Sequence, residues 1–222
     1  MSQIANTTGH AASEQEGIMK LNLGCGFNIV DGWINVDYAL GAKLAKMPLF
    51  STINRKLKIV ASDWDSRVYL HDLTARFPWR DASVDYCYSS HTLEHLTREQ
   101  GIFLLRESYR VLKPGGVVRI VVPDLKSVIR EYEDGTLRAD RFLETMGVLY
   151  GTEKRGIKKL LAPFYEFPHK CMYDTPTLVD VMREAGFLAD ERAAFESNIA
   201  GIEQIELQDR TVDAVIVEGV KQ

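Results

Sequence analysis

A glycine turn and an acidic residue lie unusually close together near the start of the chain. An apolar run that ends at Leu23 leads into Gly24-Cys25-Gly26, and a second strand-like run, 33–37, ends at Asp37. A strand–helix–strand unit normally needs about 30 residues, whereas only ten residues separate Gly26 from Asp37. The spacing therefore indicates two neighbouring parallel strands whose connection contains almost no helix.

Short apolar runs alternate with helical patterns along the chain, which is typical of a mostly parallel sheet flanked by helices. The predicted strands lie at 18–23, 33–37, 68–72, 84–89, 116–122 and near 193–198 and 212–218. Apolar spacings of three and four predict a helix over 98–112, with Thr97 and Gln100 as a capping box. A second helix is predicted over 176–185, with Thr175 as its N-cap. We therefore expect an α/β fold.

The length of 222 residues suits one α/β domain with additions. Residues 1–17 are polar and predict a flexible N-terminal tail, so the domain is expected to occupy 18–222. Two segments, 39–67 and 124–174, are longer than a minimal strand–helix–strand pattern needs and are interpreted as insertions, which commonly build substrate pockets. Because the first connection lacks a helix, we expect 39–67 or the tail to fold over that flank of the sheet.

Charge and cysteine content narrow the possible partners. The net charge of −4 argues against a dedicated nucleic-acid-binding domain, which is usually basic. Basic residues cluster within 43–58 and 154–159, which leaves peripheral contact with an anionic surface open. No apolar run reaches the roughly 18 residues of a membrane span. Three cysteines without a C-x-x-C spacing exclude a disulfide framework and favour the reducing cytoplasm.

The residues that follow the predicted strands form a coherent set, because ligands of open α/β sheets bind at the carboxyl ends of the strands. At Gly24 and Gly26 the absent side chains let a ligand approach the backbone. Asp37 follows the second strand and suits the two hydroxyls of a ribose. After the third strand, Asp72 can accept a hydrogen bond from an adenine amino group, with a neighbouring N–H serving a ring nitrogen. These features predict a site for an adenosine without a pyrophosphate.

Other nucleotide motifs are incomplete. A dinucleotide fingerprint requires G-x-G-x-x-G with an acid about 20 residues later, and here Ile29 stands at the third glycine position and Asp37 comes early. The G-x-x-x-x-G-K-[ST] cradle for a triphosphate is also absent from the sequence. A nicotinamide-dependent oxidoreductase is therefore disfavoured but stays as an alternative.

The whole set resembles the class I S-adenosylmethionine-dependent methyltransferases, in particular their type 11 domain branch. The stretches that carry the resemblance are Leu21-Asn22-Leu23-Gly24-Cys25-Gly26, Val36-Asp37, 71–85, 90–96, 107–116 and 169–187. The resemblance implies a Rossmann-like fold: a seven-stranded, mostly parallel sheet with an antiparallel last strand and helices on both faces. It implies S-adenosyl-L-methionine as cofactor. The cofactor-binding residues it implies are Asn22, Gly24, Cys25, Gly26, Asp37, Tyr38, Asp72, Leu73, Ser90 and His91.

The implied reaction is in-line methyl transfer to a small molecule or saccharide acceptor. The candidate catalytic residues are His91, His169 and Tyr173, because a hydroxyl acceptor needs a base and histidine is best poised near neutral pH. Purely structural roles for these three residues stay open. His91 and His95 have the spacing of a metal pair, but the sequence offers no evident third ligand, so no metal site is expected.

Two further alternatives stay open. A non-enzymatic module could keep the donor pocket after losing catalysis. A nucleic-acid amino-methyltransferase is disfavoured, because those enzymes resemble one another in an Asp/Asn-Pro-Pro-Tyr/Phe motif after the fourth strand, where this chain has Ser-Ser-His-Thr at 89–92. The sequence assigns neither the acceptor atom nor the oligomeric state.

Overall fold

The computed structural model describes residues 17–47, 64–149 and 167–222. The predicted tail up to residue 16 and the central parts of both predicted insertions lie outside these ranges. Within them, seven strands form one sheet in the order β3-β2-β1-β4-β5-β7-β6. Strands β1 to β5 are parallel, and β7 runs antiparallel to both β5 and β6. The predicted fold class is confirmed.

The strands are β1 Lys20–Leu23, β2 Ile34–Asp37, β3 Tyr69–Leu70, β4 Val84–Ser90, β5 Leu112–Pro123, β6 Leu188–Glu191 and β7 Ala214–Val220. The α-helices of the described residues are α1 Leu40–Ala45, α2 Arg98–Val111, α3 Leu125–Glu133, α4 Phe142–Thr145, α5 Thr175–Glu184 and α6 Gln208–Thr211. Single 3₁₀ turns occur at Leu93–His95, Ala139–Arg141 and Ile202–Gln204.

Both predicted helices are present. The Thr97 hydroxyl accepts a hydrogen bond from the Gln100 N–H while the Gln100 side chain accepts one from the Thr97 N–H, which confirms the capping box of α2. Helix α5 begins one residue earlier than predicted, because the side chain of Asp174, rather than Thr175, accepts the hydrogen bond of the Thr177 N–H. Both helices pack their apolar stripes on one face of the sheet.

The strand predicted near 193–198 is wrong. Strand β6 lies earlier, at Leu188–Glu191, directly after α5 and paired with β7. Strand β5 also begins earlier than predicted, at Leu112, because Leu112 already pairs with Val84 of β4 ahead of an irregularity in the register. Strand β3 shrinks to two residues, so Asp72 lies in the loop that follows it.

The two faces of the sheet bury different clusters, because successive residues of a strand point to opposite faces. In β5, Val118, Ile120 and Val122 belong to the main core, which the helices α2 and α5 complete. Val117 and Val121 belong to a second cluster on the other face. Its remaining buried members are Trp33, Tyr88, Ile199, Ile202, Ile205 and Ile216.

The second face is therefore covered by residues 192–206, the irregular segment that follows β6, which we call the cover segment. Arg119 of β5 anchors it: this fully buried guanidinium donates hydrogen bonds to the carbonyl groups of Ala193 and Glu196 and to the carboxylates of Glu206 and Glu218. In the described parts of 39–67, Ala42 and Trp64 pack with Cys25 in a small third cluster beside the helix-free connection. Residues 48–63 of that predicted insertion lie outside the described residues, so its cover of this flank stays a prediction.

Side chains hold the short connection between β1 and β2 in place. The buried amide of Asn22 donates hydrogen bonds to the Asn28 carbonyl oxygen at 2.9 Å and to Asn35 Oδ1 at 3.0 Å. Asn35 in turn donates to the carbonyl groups of Val30 and Trp33. These bonds satisfy backbone groups that a helix would otherwise pair internally, so the connection keeps its shape without one.

Candidate cofactor and acceptor site

The glycine turn after β1 is held tightly against β2. The N–H groups of Gly24 and Cys25 both donate to the carbonyl oxygen of Val36, at 2.9 and 3.0 Å. Gly24 has a positive φ of 73°, and a Cβ there would stand 2.1 Å from Thr92 Oγ1. A Cβ at Gly26, in contrast, would meet no atom within 4 Å. The turn therefore packs inward at Gly24 and leaves its outer side accessible to a ligand at Gly26.

Asp37 lies directly opposite that open glycine. Its Oδ2 accepts a hydrogen bond from the Gly26 N–H at 2.9 Å, and its Oδ1 accepts one from the Ala39 N–H at 2.8 Å. Because each oxygen of an ionised carboxylate can accept two hydrogen bonds, both keep capacity for the hydroxyls of a ligand. The structure thus brings Gly26 and Asp37 together as the sequence predicts.

Asp72 is brought beside Asp37 by the pairing of β2 with β3 and by a hydrogen bond from the His71 N–H to the Asp37 carbonyl. Burial opposes ionisation, but two hydrogen bonds from Thr74 to Oδ1 outweigh it and lower the pKa of Asp72. Among the described residues, neither Asp72 Oδ2 nor the Leu73 N–H has a hydrogen-bond partner. An acceptor and a donor are thus available side by side, as the amino group and ring nitrogen of an adenine require.

Two exposed aromatic rings border this region. Tyr38, which follows Asp37, is 47% exposed, and the Lys43 Nζ lies 3.3 Å from its ring centroid. Phe27, which follows Gly26, is 60% exposed and packs on Trp64 with ring centroids 4.6 Å apart. Large apolar rings at such exposure next to polar acceptors are typical of a ligand site.

The loop that presents Asp72 is anchored from α2. Arg110 donates hydrogen bonds to the carbonyl groups of Phe77 and Trp79, and Glu107 accepts one from the Phe77 N–H at 2.7 Å. The ion pair with Arg110 lowers the pKa of Glu107. Through Glu107 and Arg110, the 107–116 stretch therefore stabilises this loop.

Ser90 and His91 end β4 at the same edge of the sheet. His91 has a φ of 50°, a conformation that is costly for a residue with a side chain and that concentrates at functional sites. Its Nε2 lies 2.9 Å from the Arg210 carbonyl oxygen, so Nε2 carries the proton and donates it. Burial lowers the pKa of His91, and the ring is therefore neutral near pH 7.

Behind His91 lies a cluster that sequence reasoning missed. The Glu94 carboxylate is 1% exposed, and its Oε1 lies 3.5 Å from His91 Nδ1, 3.9 Å from His95 Nε2 and 4.0 Å from His169 Nε2. Burial raises the pKa of Glu94 to about 8 and lowers that of His95 to about 4; it also lowers the pKa of His169. His169 is 75 residues from Glu94, so spacing alone could not reveal their contact.

Three of the predicted site residues are buried. Asn22 is 2% exposed, and its side-chain amide holds the β1–β2 connection. Cys25 lies beneath the turn, and burial raises the pKa of its thiol to about 12. The Tyr173 ring is 1% exposed and belongs to the main core. The predicted roles of these residues at the cofactor or the acceptor stay predictions.

Residues 21–120 match a family model described as a methyltransferase domain. This match covers the glycine turn, both acids and the loop anchor. Residues 21–120 carry an S-adenosylmethionine-dependent methyltransferase domain. S-adenosylmethionine is accordingly its cofactor, and the free acceptor positions at Asp37 and Asp72 fit the ribose and adenine of that molecule. No curated protein matches the chain.

The chain is similar to several solved structures, and the likeness to the first of these supports its fold. One from Methanosarcina mazei, described as a S-adenosylmethionine-dependent methyltransferase, aligns with a TM-score of 0.53 at 15% identity over 93% of each chain. Another so described, from Archaeoglobus fulgidus, gives 0.48 at 19% identity over 93% of this chain and 87% of its own. A third, from Thermotoga maritima and described as a possible histamine N-methyltransferase, gives 0.45 at 20% identity over 92% and 82%.

Among the described residues, no helix combines the length and the apolar character that crossing a membrane requires.

Proposed function

We propose that this methyltransferase transfers the methyl group of S-adenosylmethionine to a small-molecule or saccharide acceptor by in-line displacement. The observation that carries the donor half of the proposal is the pair Asp37 and Asp72. They follow neighbouring strands, Asp37 accepts a hydrogen bond from the Gly26 N–H, and both carboxylates retain unused acceptor capacity. Proximity of acceptor and methyl carbon supplies much of the acceleration in such a reaction.

The acceptor half rests on charge and on the surroundings of His91. A net charge of −4 disfavours a polyanionic nucleic acid as acceptor. His91 lies at the carboxyl end of β4, and its neutral ring is held by the Arg210 carbonyl. We assign it to positioning the acceptor side of the site, with His169 on the same side. The cytoplasm as location belongs to this proposal, because all three cysteines of the chain are free.

Calorimetry tests the donor site. We expect saturable binding of S-adenosylmethionine and of S-adenosylhomocysteine, and no binding of NAD. Asp37→Asn should weaken donor binding by about 1–3 kcal/mol, because it replaces a charged acceptor of two ligand hydroxyls. Asp190→Asn is the matched control, since Asp190 is an exposed aspartate on β6 at the opposite edge of the sheet. Tight NAD binding without donor binding would contradict the proposal.

Product formation separates an enzyme from a binding module. A screen that detects S-adenosylhomocysteine release over saccharides, lipid-linked sugars and small hydroxy or amino compounds should give turnover with one acceptor class. Release at the acceptor-free rate across the whole panel, with intact donor binding, favours the alternative of a non-enzymatic module.

A further inference from the structure

Three side chains converge beside the proposed acceptor site. Glu94 and His95 lie on the 3₁₀ turn after β4, and His169 comes from the segment before α5. One potential ligand atom from each side chain lies within 4.8 Å of the other two. The two imidazoles present the same atom, Nε2, to the same carboxylate oxygen, Glu94 Oε1.

The backbone fixes this convergence. The N–H groups of Lys170 and Cys171 both donate to the Glu94 carbonyl, at 2.7 and 3.1 Å, and the His169 N–H donates to the Gly147 carbonyl at 2.9 Å. The His95 N–H is bound to the Thr92 carbonyl. The side chains are therefore brought together by main-chain hydrogen bonds on both sides, which makes the group preorganised rather than a chance meeting of flexible side chains.

The distances between the side-chain nitrogen and oxygen atoms of this cluster indicate which kind of ligand it is suited to bind. At 3.9 and 4.0 Å, the two Nε2 atoms are too far from Glu94 Oε1 for hydrogen bonds, which need about 2.7–3.2 Å. Two ligand atoms bound tetrahedrally to one metal ion at about 2.1 Å each stand roughly 3.4 Å apart. A contraction of about half an ångström in each nitrogen–oxygen separation, and of up to about 1.4 Å between the two nitrogens, converts this arrangement into a ligand set.

The carboxylate itself needs a partner. Glu94 is 1% exposed, and neither of its carboxylate oxygens has a hydrogen-bond partner among the described residues. A buried carboxyl group left unpaired costs several kcal/mol, and buried charges in proteins are normally paired or coordinate metals. Two imidazoles with one carboxylate form a donor set that suits first-row transition metals and not magnesium or calcium, which prefer oxygen ligands.

We propose that Glu94, His95 and His169 bind one divalent transition-metal ion, with a fourth position left for a non-protein ligand on the side of His91. Two histidines and a glutamate around an open position are a known arrangement for catalytic zinc. His91 Nδ1 lies 3.5 Å from Glu94 Oε1, but His91 is outside the group of side chains whose ligand atoms all lie within 4.8 Å of one another, so we leave it out of the ligand set.

Cobalt and zinc are the probes that test the proposal. The full chain is stripped with a chelator and titrated with Co²⁺, whose visible bands report bound nitrogen and oxygen ligands, and Zn²⁺ is then added in competition. We expect one equivalent of Co²⁺, displaced by Zn²⁺ and not by excess Mg²⁺. Elemental analysis after gel filtration should find one zinc per chain. A wild-type chain that takes up less than half an equivalent would overturn the proposal.

Variants assign the ligands. Glu94→Gln, His95→Gln and His169→Gln should each weaken Zn²⁺ binding at least tenfold, which is the lower bound expected even for residues that only support a ligand. His71→Gln is the control, because His71 packs on Phe77 and Trp79 outside the cluster and should leave the affinity unchanged. Equal losses in His71→Gln and His95→Gln would overturn the assignment. Circular dichroism checks folding, and the partly exposed His95 and His169 provide two independent variants.

The metal site and the proposed function can fail separately. Calorimetry with S-adenosylhomocysteine on the metal-free chain tests the donor site alone. Donor binding without Co²⁺ uptake overturns the metal site and leaves the methyltransferase proposal intact. Co²⁺ uptake without donor binding supports the metal site and contradicts the methyltransferase proposal.

Discussion

Arg119 of β5 and Glu206, 87 residues later, form a two-point ion pair with both side chains fully buried. The Nε and Nη2 atoms of Arg119 donate to the two carboxylate oxygens of Glu206 at 2.8 and 2.9 Å. In this geometry two parallel hydrogen bonds join the planar guanidinium group to the planar carboxylate group. The pair closes the cover segment onto the sheet at a place where an α/β protein ordinarily packs a helix.

Removal of one partner should therefore be severe. Glu206→Ala is expected to lower the free energy of unfolding by about 3–5 kcal/mol, because it leaves a buried guanidinium without its main counter-charge. Glu203→Ala is the matched control: this residue is exposed on the preceding 3₁₀ turn and should change stability by less than about 0.5 kcal/mol. Urea denaturation measures both, and similar losses in the two variants would contradict a dominant role for the pair.

Gly24 should tolerate no side chain. Gly24→Ala forces a Cβ to within 2.1 Å of Thr92 Oγ1 in addition to the strain of a positive φ. Gly115→Ala separates the two effects, since Gly115 has a φ of 79° but no atom within 4 Å of a Cβ. We expect Gly24→Ala to cost about 1–3 kcal/mol more than Gly115→Ala, the range for overpacking. Thermal or urea unfolding checks this, and equal costs would mean that Thr92 moves aside freely.

Cys25 should resist alkylation. Burial raises the pKa of its thiol from 9.0 to about 12, so its thiolate fraction near pH 8 is about a thousandfold smaller than that of an ordinary thiol. With iodoacetamide, we expect the half-buried Cys171 to react well before Cys25, and all three cysteines to react equally fast in urea. The rate at Cys25 should continue to rise with pH above 9. Peptide mass spectrometry measures the order, and early labelling of Cys25 in the native chain would exclude its burial.

Glu107 should make the free energy of unfolding depend on pH. The Arg110 side chain lowers the pKa of Glu107 below 4.5, so the pair contributes stability above about pH 4.5 and loses it as pH falls through the lower folded value. The difference in unfolding free energy between wild type and Glu107→Gln should therefore be largest near neutral pH and shrink in acid. Urea denaturation from pH 3 to 7 measures it. A difference in unfolding free energy that stays constant with pH would show that the ion pair is not its cause.

The sequence predicts those parts of the structure that are determined by residues close together in the chain. The capping box at Thr97 depends on a residue three positions away, and Asp37 and Asp72 follow from strands that end beside them. Parallel pairing then brings such strand ends together without further information. For this reason the fold and the placement of Gly26, Asp37 and Asp72 at one edge of the sheet can be predicted from the sequence.

Other parts depend on contacts that no local pattern encodes. The meeting of His169 with Glu94 requires the course of a segment 75 residues away. The apolar residues of the cover segment, Ile199, Ile202 and Ile205, lie on turns, so the segment shows neither the period of a strand nor that of a helix. Its anchor, Arg119, looks in the sequence like a charged residue that interrupts an apolar strand. Asn22 is predicted to bind the cofactor because it lies in the motif, and no local pattern encodes the hydrogen bonds of its amide to Asn28 and Asn35.

The side chain of Asn28 in the β1–β2 connection donates a hydrogen bond at 2.8 Å to the Ile205 carbonyl in the cover segment. The loop that carries Gly26 is thereby fastened to the same segment that Arg119 holds against β5. The predicted cofactor contacts all lie within the first 91 residues, yet the backbone that holds them in place extends beyond residue 200. A shortened chain that ends after the matched domain at residue 120 would contain every predicted donor contact and lack the scaffold that keeps them in register. We therefore expect the smallest unit able to bind the donor to extend beyond residue 200.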